Sequence, residues 1–204
     1  MDSNTVGYHP PQQDRSRRAL QKVLGAAESV LVAKGFDDFT MTAVAEQADV
    51  SVGAIYRRFE GKEQLLGAVW DSLLDKMESD LATALETAEP TLVGVVNALV
   101  RASVADLSNN KLFPYLYAPS MAQSTRVHDA ISTRRRLFLA AVEPHLDEVA
   151  RSDAHVAVVM VQAMVTGSCV HRASQGKGVE DGLSWDQFAG QLEELAMSYL
   201  RSTI

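Results

Sequence analysis

The chain has 204 residues, 47% of them hydrophobic and 22% charged, which is enough to bury a substantial core and excludes disorder as its ordinary state. Its 19 basic and 26 acidic residues leave a formal net charge of −7, which excludes binding to nucleic acid through a uniformly positive surface. The lone cysteine, Cys169, excludes an intramolecular disulfide framework and fits a reducing compartment. The polar stretch from Met1 to Arg18 has no apolar run of the signal-peptide kind, so a cytoplasmic protein is expected. The longest apolar stretch, Ala154 to Val170, is interrupted by His155, Gln162, Thr166 and Ser168, and suits a buried helix better than a membrane span.

Helical periodicity runs through nearly every segment and sustained alternation through none, so the fold expected is all-α. A first helix spans about Arg15 to Lys34, with Leu20, Val23, Leu24, Ala27, Val30 and Leu31 on one face, and ends at Gly35. Thr40 and Met41 open a short helix through Ala48. Asp49 and Val50 turn the chain, and Ser51 begins another short helix that ends near Phe59. Glu60 and Gly61 separate it from a long helix, about Lys62 to Ala88, closed off by Pro90. Further helices fall at about Leu92 to Ser108, Ser124 to Glu143, Ala154 to Ser174 and Trp185 to Arg201. Pro114, Pro119 and Pro144 break the stretch between, and a glycine-rich loop precedes the last helix. Ser184 and Gln187 fit a capping box at that last start, with Leu183 and Phe188 at the staple positions. The division expected is a small domain, residues 1–62, and a larger helical one, residues 63–204.

Charge is distributed unevenly along this layout. Residues 1–62 hold eight basic and eight acidic groups, so the rest of the chain carries the whole −7. Any contact with nucleic acid must come from the two N-terminal basic clusters, Arg15 to Lys22 and Arg57 to Lys62. The second lies on the helix that Ser51 opens. Ser51 can accept from the N–H of Gly53 or Ala54, and Val50 and Ile55 occupy staple positions, which fixes the helix rigidly. Val52, Ile55 and Phe59 make an inward stripe, so Gly53, Ala54, Arg57 and Arg58 look outward. Small residues there allow close approach to base edges, and the arginines reach phosphate or a guanine edge. Spacing alone leaves two readings level: a helix that enters a DNA groove, or a short amphipathic helix of a bundle with two solvated arginines.

Gly35, Thr40, Val44, Ala45, Ala48, Val50, Ser51, Gly53, Tyr56, Phe59, Lys62 and Leu65 decide between them. In their order and spacing the stretch from Arg15 to Trp70 resembles the DNA-binding domain of the TetR family of one-component bacterial regulators. It departs from the family at Asp49, where glycine is usual, but aspartate tolerates the left-handed region better than most residues. The resemblance implies a three-helix helix-turn-helix domain joined by a long helix to a C-terminal domain that binds a ligand and dimerises. It implies that Thr40 and Thr42 touch the DNA backbone, that Ser51, Val52, Gly53 and Ala54 face base edges, and that Tyr56 and Lys62 contact phosphate. Arg57 is the residue chosen for a base or phosphate contact. Arg15, Arg17 and Arg18 fit a solvated helix start and a phosphate or minor-groove arm equally well.

For the C-terminal part, the resemblance implies that the helices at Ala154 to Ser174 and Trp185 to Arg201, with Ala157, Ala163, Gly167, Leu192, Leu195 and Ala196, build a four-helix homodimer interface. It also implies an effector cavity, for which the candidates are Trp70, Met77, Phe113, Tyr115, Tyr117, Met121, Phe138, Met160 and Met164. Each of these is more often plain core, and as a group they suggest an apolar or aromatic effector. Arg101, Gln123, His128 and Gln162 are the polar candidates. Arg134, Arg135 and Arg136 read as a solvated helix face. The five histidines lack metal-ligand spacing, no catalytic constellation stands out, and no metal or cofactor is expected. The function expected is a repressor, without catalysis, released from a palindromic DNA operator by a small, mostly apolar effector. The alternative is a helical small-molecule-binding or structural protein that does not engage DNA.

Overall fold

The computed structural model describes residues 12–112, 124–175 and 182–203, without the side chains of residues 12–15 and 109. Among the described residues there is no strand. The helices are α1 (Gln12–Lys34), α2 (Met41–Gln47), α3 (Val52–Tyr56), α4 (Lys62–Glu86), α5 (Leu92–Asn109), α6 (Thr125–Val142), α7 (Ala154–Ser174) and α8 (Trp185–Arg201), with a 3-10 segment at Glu143–Glu148. The chain divides into two compact units, residues up to Ser72 and residues from Leu73 onward, so the boundary lies inside α4 rather than at its start. Leu65, Leu66, Val69 and Trp70 explain the shift. These residues of the first turns of α4 are buried in the N-terminal unit, Trp70 stacking on Phe36 with ring centroids 5.9 Å apart.

In the N-terminal unit α1 buries Val23, Leu24, Ala27, Val30 and Leu31 and packs on α2, which packs in turn on α3. Gly35 ends α1 in the left-handed region, at φ 75°, and its N–H bonds to the Leu31 carbonyl at 2.9 Å. α1 begins three residues before the expected start, because Gln12, Gln13 and Asp14 are polar and carry no periodic signal.

In the C-terminal unit α5 lies against α6, α7 and α8, and α7 against α6 and α8. Thr91 caps α5 by accepting from the Gly94 N–H at 3.0 Å, and the Glu148 carboxylate accepts from the Leu92 N–H at 3.2 Å, so the start of α5 is held from across the unit. Pro144 stands at the head of the 3-10 segment that replaces the end of α6. The capping box at α8 forms as its sequence suggests, with the Ser184 N–H donating to Gln187 at 2.8 Å and the Gln187 N–H donating to Ser184 at 3.1 Å. α7 is long and apolar enough to cross a membrane by composition, yet one of its faces is core: Ala157, Val158, Val161, Gln162, Val165 and Cys169 are buried.

Candidate functional site

Two places in the molecule combine exposed or unpaired polar chemistry with rigid support. The first is the turn between α2 and α3. Thr40 caps α2 by accepting from the Ala43 N–H at 3.1 Å, and Met41, Ala43, Val44 and Ala45 anchor that helix in the core. Its C-terminal end closes with a Schellman pair of bonds, Val50 N–H to Ala45 carbonyl at 3.0 Å and Asp49 N–H to Glu46 carbonyl at 3.2 Å. That motif demands a left-handed residue, and Asp49 supplies it at φ 49°, the one positive φ outside glycine among the described residues.

Ser51 then caps α3 by accepting from the Ala54 N–H at 3.2 Å. Regular helix stops at Tyr56, earlier than the spacing suggests. The chain tightens into a turn in which the Arg58 and Phe59 N–H groups both bond the Ile55 carbonyl at 2.9 Å. Ile55 is fully buried and Phe59 6% exposed, so they hold the inner face, while Val52 is only partly covered. Outward stand Thr42, Ser51, Gly53, Arg57 and Tyr56, the last 53% exposed, with Ala54 half-buried beside them. Arg58 is committed inside the unit, donating to the Ser16 hydroxyl at 3.1 Å, whereas Arg57 has no partner among the described residues. The Lys62 ammonium donates to the Phe36 carbonyl at 2.6 Å and lies over the Phe39 ring, which ties the start of α4 to the loop after α1. The Arg15 side chain lies outside the described residues.

The second place is a cavity of about 40 Å³ within the C-terminal unit, walled by α4, α5, α6 and α7. Leu74, Met77, Leu107, Val127, Ala130 and Ile131 give it an apolar lining, and Ser103, Asp106, Arg134, Gln162 and Thr166 are its polar groups. Arg134, expected on a solvated face, is instead 9% exposed, while its neighbours Arg135 and Arg136 are exposed. It donates to the Met77 carbonyl at 2.7 Å, to Asp106 at 3.0 Å and to the Ser103 hydroxyl at 3.3 Å. Burial pushes the Asp106 carboxyl up to about 6 against the pull of Arg134. The Cys169 thiol, buried nearby, is pushed up to about 12 by the same loss of solvent, which leaves it an inert hydrophobe. Arg126 pairs with Asp75 and, at 2.9 Å, with Glu78, so α6 holds the C-terminal half of α4 at two levels.

Of the residues the sequence nominates for an effector site, Met77 and Gln162 line this cavity. Trp70 does not: the stack on Phe36 places it in the N-terminal unit. Phe138 is fully buried in the core away from the lining, Met160 is 53% exposed on the outside of α7, and Met164 is half-buried and likewise off the lining. Arg101 is occupied on the surface by Glu193 and Asp186. Phe113, Tyr115, Tyr117, Met121 and Gln123 lie outside the described residues. Sequence reasoning missed Ser103, Asp106 and Arg134. A signal for Arg134 existed, since it falls on the stripe Val127, Ala130, Arg134, Phe138 that α6 buries.

Residues 23–69 match the family described as bacterial regulatory proteins, tetR family. The chain is similar to the uncharacterized HTH-type transcriptional regulator TtgW of Pseudomonas putida, 36% identical over 70 residues that are 34% of this chain and 52% of that protein. It is also similar to the HTH-type transcriptional repressor KstR of Rhodococcus jostii, 28% identical over 147 residues, 68% of this chain and 66% of that one. The chain therefore spans about half the length of the first relative and just under two thirds of the second. Among solved structures, a TetR family transcription regulator from Marinobacter aquaeolei shares the fold at a TM-score of 0.68 and 18% identity, covering 93% of this chain and 98% of its own. The cap, left-handed turn and core of the helix-turn-helix all lie inside the residues that match the tetR family, and the all-helical fold is shared with that solved regulator along nearly the whole chain.

Proposed function

We propose that this protein is a ligand-responsive, DNA-binding transcriptional regulator rather than an enzyme, a cytoplasmic homodimeric repressor released from a palindromic operator by a small, mostly apolar effector. The observation that carries the reading is the outer face of α3: Ser51, Gly53, Tyr56 and Arg57 stand clear of the protein on a helix fixed by its cap and by buried Ile55. Ser51, Val52, Gly53 and Ala54 approach base edges, Arg57 takes a guanine edge or a phosphate, and Thr40, Thr42, Tyr56 and Lys62 grip the backbone. Lys62 retains donors for this beyond the one given to Phe36. Arg15 adds a contact from the first turn of α1.

The effector enters the C-terminal cavity, where Met77 is part of the wall. Met164 comes to the same ligand only if it extends beyond that wall, and Phe113, Tyr117 and Met121 are assigned to that ligand on the family resemblance alone. A ligand of drug size needs roughly 300–1,000 Å³, so it enters only as the lining helices separate. α4 supplies Leu74 and Met77 to that lining and begins beside the recognition helix, so it is the element through which the two sites are coupled. Coupling of about 1–3 kcal/mol is what a working switch of this kind has, and it is reciprocal. The test is footprinting and gel shift on the region upstream of the protein's own gene, with and without apolar ligands. Protection of a two-fold symmetric site that a tight-binding ligand abolishes is the expected result. Absence of any specific protected site would leave a helical small-molecule-binding protein.

A further inference from the structure

The polar groups of the cavity fall into two sets. One is closed: Arg134 is met by Asp106, by the Met77 carbonyl and by the Ser103 hydroxyl, so a cation and an anion already balance there. The other is open. Gln162, 5% exposed, and Thr166, one turn farther along α7, both line the cavity, and neither has a hydrogen-bond partner among the described residues. The Gln162 amide opens onto the cavity rather than being sealed from it, so a guest that displaces the cavity's solvent must supply its bonds in turn. An amide beside a hydroxyl both donates and accepts, so it suits either a carbonyl or a hydroxyl on the guest.

We propose that this cavity selects an uncharged, mainly apolar molecule carrying one hydroxyl or carbonyl oxygen, which bonds to Gln162 and Thr166, and discriminates against the same molecule bearing a carboxylate. This names the ligand class of the effector site proposed above and rests on that reading. The wall is six aliphatic or thioether side chains, and its only cation is already neutralised. A carboxylate would therefore bring a second negative charge beside Asp106 with nothing to balance it, which low-dielectric surroundings penalise heavily. An ammonium would meet Arg134 with the same difficulty. A site that hydrogen-bonds one oxygen also rejects the analogue that lacks it, since its own polar groups are then left unpaired.

Calorimetric titration of the full chain at neutral pH with para-butylphenol, para-butylbenzoate and butylbenzene tests this. The phenol should bind about tenfold or more tighter than either of the others, and Gln162→Met and Thr166→Val should each erode its advantage over butylbenzene severalfold while leaving butylbenzene unchanged. Thr166 is only partly buried, so Thr166→Val keeps the test open if Gln162→Met does not fold. A benzoate bound as tightly as the phenol would overturn the uncharged class but leave the effector site standing. No binding by any of the three would overturn both. A phenol preference that survives both substitutions would overturn the assignment of Gln162 and Thr166.

Discussion

Asp106 and Arg134 are buried together, and neither would stay buried alone. The side chains are 4% and 11% exposed, so removing the guanidinium strands a carboxylate in the core; Arg134→Ala should destabilise the fold by about 3–5 kcal/mol in urea unfolding. The pH dependence has a definite sign. The carboxyl titrates near 3.8 when unfolded and at about 6 when folded, so the native state holds the proton more tightly. Stability from this group is complete below about pH 4 and is lost as pH rises through about 6, a change on the order of 3 kcal/mol. In Asp106→Asn that slope should vanish; unfolding curves whose pH dependence between those limits matches the parent would show that the carboxyl is not perturbed. At the other site, Arg57→Ala should weaken specific operator binding by about 1–3 kcal/mol, measured by gel shift at fixed salt. Arg58 is held by Ser16, so Arg58→Ala should cost less in operator affinity than Arg57→Ala. The reverse order would mean that Arg58 leaves Ser16 when DNA binds.

α3 is a five-residue helix, too short to hold itself together, and its order depends on the Ser51 cap and on burial of Ile55. Ser51→Ala should therefore cost about 1 kcal/mol of stability and lower operator affinity for every sequence tested, because it loosens the helix rather than one contact. Elements like this are legible in the sequence because caps and left-handed turns are local. Thr40, Ser51, Ser184 and Gly35 each mark a boundary within a residue or two of where it falls, and Asp49 takes up the left-handed conformation that the turn needs. What periodicity does not deliver is which side of a helix faces which neighbour once several faces are apolar. α7 is apolar nearly all round, so Met160 reads as a cavity residue although it lies on the outside. Trp70 sits on a helix shared by two units, and only its partner Phe36 tells to which unit it belongs. Arg134 is hidden by its two exposed arginine neighbours, and its counter-ion is 28 residues away in the chain, beyond the reach of any local pattern.

The C-terminal unit leaves a seam of apolar surface uncovered. On α7, Val156, Met160, Ala163 and Gly167 recur at the spacing of one helix face and all are exposed, Val156 and Met160 at 57% and 53%; on α8, Leu195 is 57% exposed. Ala157, Leu192 and Ala196, expected with Ala163, Gly167 and Leu195 at a dimer contact, turn inward and are all but completely buried in the protomer's own core. A seam built of small and aliphatic residues on two helices fits the same seam on a second copy, since an isologous contact needs only a self-complementary surface. The proposed palindromic operator would ask for the same arrangement, because two recognition helices would have to reach successive major grooves about 34 Å apart. An added Cβ at Gly167 meets nothing within 4 Å, and Leu195 is open, so charges at these two positions should leave the protomer folded. In the proposed dimer they would be buried without a partner, at a cost of about 3–5 kcal/mol. Gly167→Asp and Leu195→Asp should therefore keep the helical circular dichroism of the parent, scatter light as monomers, and lose most operator affinity, because each monomer then holds one half-site. If both variants remain folded dimers, the interface lies on another face. If they are monomers that bind the operator undiminished, a single recognition helix suffices and the two-fold operator is wrong.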